Sequence, residues 1–134
     1  MSAPQYSDDK TVLDEVDLYR RIPPKQIVRD ENQGIVRPSS QAFQDSRDGT
    51  PMSVVLSDVL NASGREPGSV LVGLEGFALA SITAGLARAC GQGVSRDPTE
   101  DEPAHALVFG KKTGSVRGRF AKECRWVIEP EPAG

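Results

Sequence analysis

The sequence predicts an α+β domain, a mostly antiparallel, bent sheet of short strands with a C-terminal helix packed on it. Three observations predict it. Thirteen glycines and ten prolines in 134 residues cut the chain into short pieces, which suits short strands and loops better than a helical bundle. His105, Leu107 and Phe109 alternate with Ala106 and Val108 before Gly110, the two-residue period of a strand. Val116, Phe120, Cys124 and Val127 recur at helical spacing and form one stripe.

Residues 1–11 are polar around a single apolar anchor, Tyr6, and are expected to be a mobile tail because little burial offsets their ordering entropy. Residues 17–22 read as a strand stopped by Pro23-Pro24, and residues 34–37 as another stopped by Pro38. Residues 52–55 form a strand after the Asp48-Gly49 turn, and residues 56–60 fit one or two helical turns with Ser57 or Asn61 as a cap. Residues 69–73 read as a strand from their β-branched content. Residues 77–90 fit two templates. Leu79, Ile82 and Leu86 suit a helix face, whereas Ser81, Ile82, Thr83 and the interior Gly85 favour a strand, and the pattern leaves both open. Residues 91–94 look extended. Ser115 is expected to N-cap a helix running to Trp126. Pro130 and Pro132 mark a second mobile tail over 129–134, leaving one domain over 12–128. The expected core is Leu18, Ile22, Ile35, Phe43, Val54, Leu56, Leu60, Leu71, Leu79, Ile82, Leu86, Val94, Leu107 and Phe109.

Sixteen Lys+Arg against nineteen Asp+Glu leave a net charge of −3, which argues against a protein dedicated to coating nucleic acid. No apolar run approaches the ~20 residues of a spanning helix, and residues 1–10 are too polar and acidic for a secretory signal, so no membrane association and a cytoplasmic setting are expected. Cys90 and Cys124 match no zinc or redox spacing and read as buried free thiols. No metal and no cofactor are expected.

His105 is the only histidine and the natural candidate for general acid/base work. The plainer reading is a half-buried strand residue that points with Leu107 and Phe109 towards the core. Arg37, Ser39 and Ser40 put an arginine fork and two hydroxyls beside a proline-stiffened turn, where they can grip a phosphate or carboxylate, unless the serines simply cap a short helix over 41–43. Between 111 and 125, six basic residues face one acid, Glu123. Lys111 and Lys112 precede a Thr113-Gly114-Ser115 turn that can aim helix N–H groups at an anion. The run resembles a triphosphate loop only superficially, because the upstream glycine position holds His105. Arg117, Arg119 and Arg125 offer a basic face, and Trp126, the only tryptophan, an interface anchor. The plainer readings are a solvated face and a lid over the core.

The order of Leu18-Tyr19-Arg20-Arg21-Ile22, then Arg37-Pro38-Ser39-Ser40-Gln41-Ala42-Phe43, Arg96-Asp97-Pro98 and Pro103-Ala104-His105-Ala106 resembles a loose group of small uncharacterised bacterial proteins across roughly residues 17–128. The resemblance implies an extended conformation over 77–90 and a shared pattern of Arg37, Ser39, Ser40, Phe43, Ser53, Asp97 and His105. It implies no activity.

Two functions follow as expectations. The first is an accessory protein that docks an acidic or anionic surface of a protein partner through the basic C-terminal helix and the Arg37 loop. The second is a small enzyme or ligand-binding domain for a phosphate- or nucleotide-like substrate. It needs His105, Arg37, Ser39 and Ser40 to converge.

Overall fold

The computed structural model describes residues 6–131. The chain runs β1 (Asp17–Ile22), β2 (Ile27–Asp30), β3 (Ile35–Pro38), β4 (Met52–Leu56), α1 (Ser57–Ala62), β5 (Ala78–Thr83), α2 (Ala84–Ala89), β6 (Gly93–Arg96), β7 (His105–Phe109), α3 (Gly114–Glu123) and β8 (Arg125–Ile128). Short 3-10 turns span Ser40–Phe43 and Pro67–Leu71. Six strands form one sheet in the order β6-β7-β4-β1-β5-β8, antiparallel throughout, and β2 and β3 form a separate hairpin. The α+β class is as the sequence predicts.

Both faces of the sheet are covered, so strand residues of both parities are buried. On one face Leu18, Val54, Ala80, Ile82, Ala106 and Val108 lie under Phe43 and Phe120, whose rings meet edge to face at 6.0 Å. On the other, Tyr19, Val55 and Leu79 pack against Leu60, Val70 and Ala104. Most of the expected core is buried, but Ile35 is 45 % exposed and Leu71, Leu86 and Phe109 are only partly covered.

Several expectations are corrected. Residues 77–90 are a strand followed by a helix. Thr83 ends β5 in an extended conformation, and its hydroxyl accepts from Leu86 N–H to cap α2. Residues 69–73 are not a strand. Pro67 sets a turn that Ser69 closes on the Glu66 carbonyl, and only Val70 of that turn is buried. Residues 56–60 do start a helix, but Ser57 accepts from Asp17 N–H instead of capping it. The cap of α3 is Thr113, not Ser115. That helix stops at Glu123, so Arg125, Trp126 and Val127 belong to edge strand β8, and Val127 joins the core of the opposite face.

The N-terminal segment is anchored where it is described. Asp9 N–H donates to the Val94 carbonyl at 2.8 Å and Val94 N–H to the Asp8 carboxylate at 2.9 Å. Arg88 holds the Asp8 and Asp14 carboxylates and the Asp9 carbonyl, and Tyr6 stacks on Phe109. This strap covers β6, which would otherwise be a bare sheet edge. At the far end, Arg29 donates to the Glu131 carbonyl. The remainder of the two expected mobile tails, 1–5 and 132–134, lies outside the described residues.

Candidate functional site

A groove of about 670 Å³ lies between the β2–β3 hairpin and the α3–β8 segment. Gly34, at φ +64, allows the turn that folds β3 back on β2. β3 then presents Ile35 and Arg37 to the groove, and the turn after Pro38 presents Ser40. Opposite them, the small residues Gly118 and Ala121 keep one face of α3 low, leaving room for Lys122 and Trp126 at the rim. Trp126 Nε1 donates to the Val36 carbonyl at 3.0 Å. That bond ties the hairpin to the sheet and leaves the indole face as a wall. The lining is mostly apolar, and its only charged side chains are Arg37 and Lys122. Arg37 is exposed, and its guanidinium donates a long hydrogen bond, 3.4 Å, to the neighbouring Pro38 carbonyl. Cys124 also lines the groove, but burial pushes its thiol up to about 11, so it meets a ligand as a neutral sulfur group.

The sequence candidates are thus partly assembled. Arg37, Ser40 and Trp126 meet in the groove, although nothing in their spacing shows that they would. Ser39 takes the plainer role, its hydroxyl accepting from Gln41 N–H to cap the 3-10 turn. Lys112 is not a surface cation. Its side chain is 3 % exposed, its ammonium pairs with Asp45 at 2.8 Å, and it donates to the Val108 carbonyl at 2.7 Å. Burial lowers its pKa, and Asp45 opposes the shift. Lys111 is exposed, so the two lysines do not act together. Arg117 bonds the Lys112 carbonyl and Arg119 pairs with Glu123 one turn on. Arg125 lies across from Ser81 on the opposite face of the sheet to the hairpin. The expected basic face is therefore not one surface. Lys122 and Ile35 complete the groove and were missed. The Gly118/Ala121 pair on one face of the helix was the available signal.

His105 lies elsewhere. Its row across the sheet is His105–Val55–Tyr19, on the face away from α3. It does not point into the Phe43–Phe120 core. Its Nδ1 is held by the Asp97 carbonyl at 2.9 Å and the Asp97 carboxylate at 3.1 Å. The small cavity that His105 lines shares no residue with the groove. The convergence of His105 with Arg37, Ser39 and Ser40 that the enzyme reading needs does not occur, because alternate strand residues point to opposite faces. Among the described residues no group of acids, cysteines and histidine is arranged to hold a metal ion, and no helix is long and apolar enough to cross a membrane. Compared with known proteins, the chain matches no family model, no curated protein and no solved structure.

Proposed function

We propose that this protein is a binding module that docks an acidic, partly apolar segment of a partner protein in the groove between the β2–β3 hairpin and α3–β8. The observation that carries this is the lining itself. Arg37 and Lys122 are cations at the rim of an apolar floor with an aromatic wall at Trp126, and no carboxylate lines it. An apolar side chain of the partner fills the floor beside Trp126 and Ile35. A neighbouring Asp or Glu meets the guanidinium fork of Arg37, with Ser40 as a further donor. The charge pair sets specificity and encounter rate, and the apolar contact supplies the larger share of affinity. A cytoplasmic setting accompanies this reading, supported by two free thiols, Cys90 and Cys124, as in reducing compartments.

The test begins with native purification and mass spectrometry to identify a stoichiometric partner. The contacting segment, made as a peptide, is then titrated against Trp126 fluorescence. The expected outcome is saturable quenching or a blue shift, weakened about tenfold or more by Arg37→Glu or Lys122→Glu and unchanged by Arg119→Glu. Retention that Arg37→Glu and Lys122→Glu leave intact overturns the proposal.

A further inference from the structure

The six-stranded sheet is not zipped along its whole length. β1 and β4 pair only through Leu18 with Leu56 and Tyr19 with Val55. Beyond that point the strands part, and the side chain of Arg20 fills the split. Its Nε donates to the Ala42 carbonyl and its Nη1 to the Ser53 carbonyl, each at 2.9 Å. The guanidinium satisfies a strand carbonyl that β1 no longer reaches. Burial brings Arg20 down to about 10, with Arg21 adding to the shift and Asp45 opposing it, so it remains a cation at neutral pH.

The split opens into a cavity of about 60 Å³ lined by Tyr19, Arg20, Arg21, Ser53 and His105, floored by the β4 valines. That is room for about two waters, or one tetrahedral oxyanion. No carboxylate lines it. Asp17 lies on the same face as Tyr19 and acts on its hydroxyl, and three other acids around the cavity already have partners. Asp97 holds His105 Nδ1, Glu102 is gripped bidentately by Arg65 at 2.6 and 2.9 Å, and Asp45 pairs with Lys112. With Nδ1 engaged, His105 has Nε2 left for a ligand.

We propose that this split in the sheet binds a phosphate-class oxyanion. Arg20 and Arg21 supply the charge, Ser53 and Tyr19 donate directed hydrogen bonds, and His105, whose Nδ1–H is committed to Asp97, donates from Nε2 in its imidazolium form. Free phosphate and the terminal group of a phosphomonoester share this chemistry. The site is independent of the groove, with which it has no lining residue in common.

The full-length protein is titrated with inorganic phosphate and, separately, with phenyl phosphate, by calorimetry and by NMR. Saturable one-to-one binding with Kd at or below about 1 mM is expected for at least one of them. Arg21→Gln and His105→Gln are each expected to weaken it about tenfold, while Lys122→Glu in the groove leaves it unchanged. Stronger binding of the inorganic ion supports a free-ion site, and stronger binding of the ester supports recognition of a phosphorylated ligand. Because His105 is the only histidine, its ring resonances report the site in the unaltered protein even where a variant folds poorly. No saturable binding of either probe up to about 10 mM, or binding that leaves the His105 ring unshifted, overturns the proposal.

Discussion

Replacing Lys112 with methionine keeps the apolar stem and deletes the ammonium. The charged donor then leaves Asp45, at 2.8 Å, and the Val108 carbonyl, at 2.7 Å. The third bond, to the Gly110 carbonyl, is 3.3 Å long and counts for little. A hydrogen bond involving a charged group contributes about 1.5–3 kcal/mol. The Asp45 side chain is 36 % exposed and regains water, so its share lies at the low end. Val108 is fully buried, and its carbonyl loses a donor where water does not reach. The sum is a loss of about 3 kcal/mol, or a melting point lower by about 10 °C for a chain of this length. The control is Lys111→Met, an exposed change expected to stay within about 0.5 kcal/mol. Urea unfolding followed by Trp126 fluorescence measures both, and equal slopes show that only stability has changed. A Lys112→Met loss below about 1 kcal/mol, or one equal to that of Lys111→Met, refutes the buried-lysine account.

Arg88→Ala removes the clamp on Asp8, Asp14 and the Asp9 carbonyl and is expected to cost about 2 kcal/mol, discounted because the Asp14 side is exposed. Hydrogen exchange at Val94 N–H accelerates if the strap is released, and unchanged protection there contradicts the strap. Phe120→Ala empties the ring site beside Phe43 and is expected to cost about 4 kcal/mol in chemical denaturation, with a loss under about 1.5 kcal/mol showing that α3 is not held through this ring. Hydrogen bonding from Arg65 holds the Glu102 carboxyl below its usual 4.5, against an opposing effect of burial. Its stabilisation is therefore present above 4.5 and lost as the pH falls through the depressed folded value. The stability gap between the protein and its Glu102→Gln variant narrows below that pH in acid titrations monitored by circular dichroism. A gap independent of pH contradicts the pairing.

Strand and turn chemistry is local, and that part of the fold was legible. The double proline ends β1, Gly110 ends β7, and the alternation at His105–Phe109 marks a strand whatever it packs against. Legibility failed where one residue had two possible partners. Thr83 serves both as the last residue of β5 and as the cap of α2, so the preceding apolar residues carry both periods. Trp126 continues the sequence trend of α3, yet the extended Cys124 turns it into β8, where pairing with Ala80 and a bond to Val36 hold it.

By itself the sequence determined the α+β class, the glycine and proline breaks, most of the large buried side chains, and the residue types able to bind an anion or an acidic surface. Tertiary structure alone decided which of those groups meet. A strand shows its residues to two faces, and only strand order and register assign a face to each. That assignment puts Arg37, Ser40 and Trp126 around one groove and His105 beside Tyr19 and Arg21 on the other side of the sheet, with Arg20 reaching the split between β1 and β4 from the Phe43 face, and it buries Lys112 while leaving its neighbour in water.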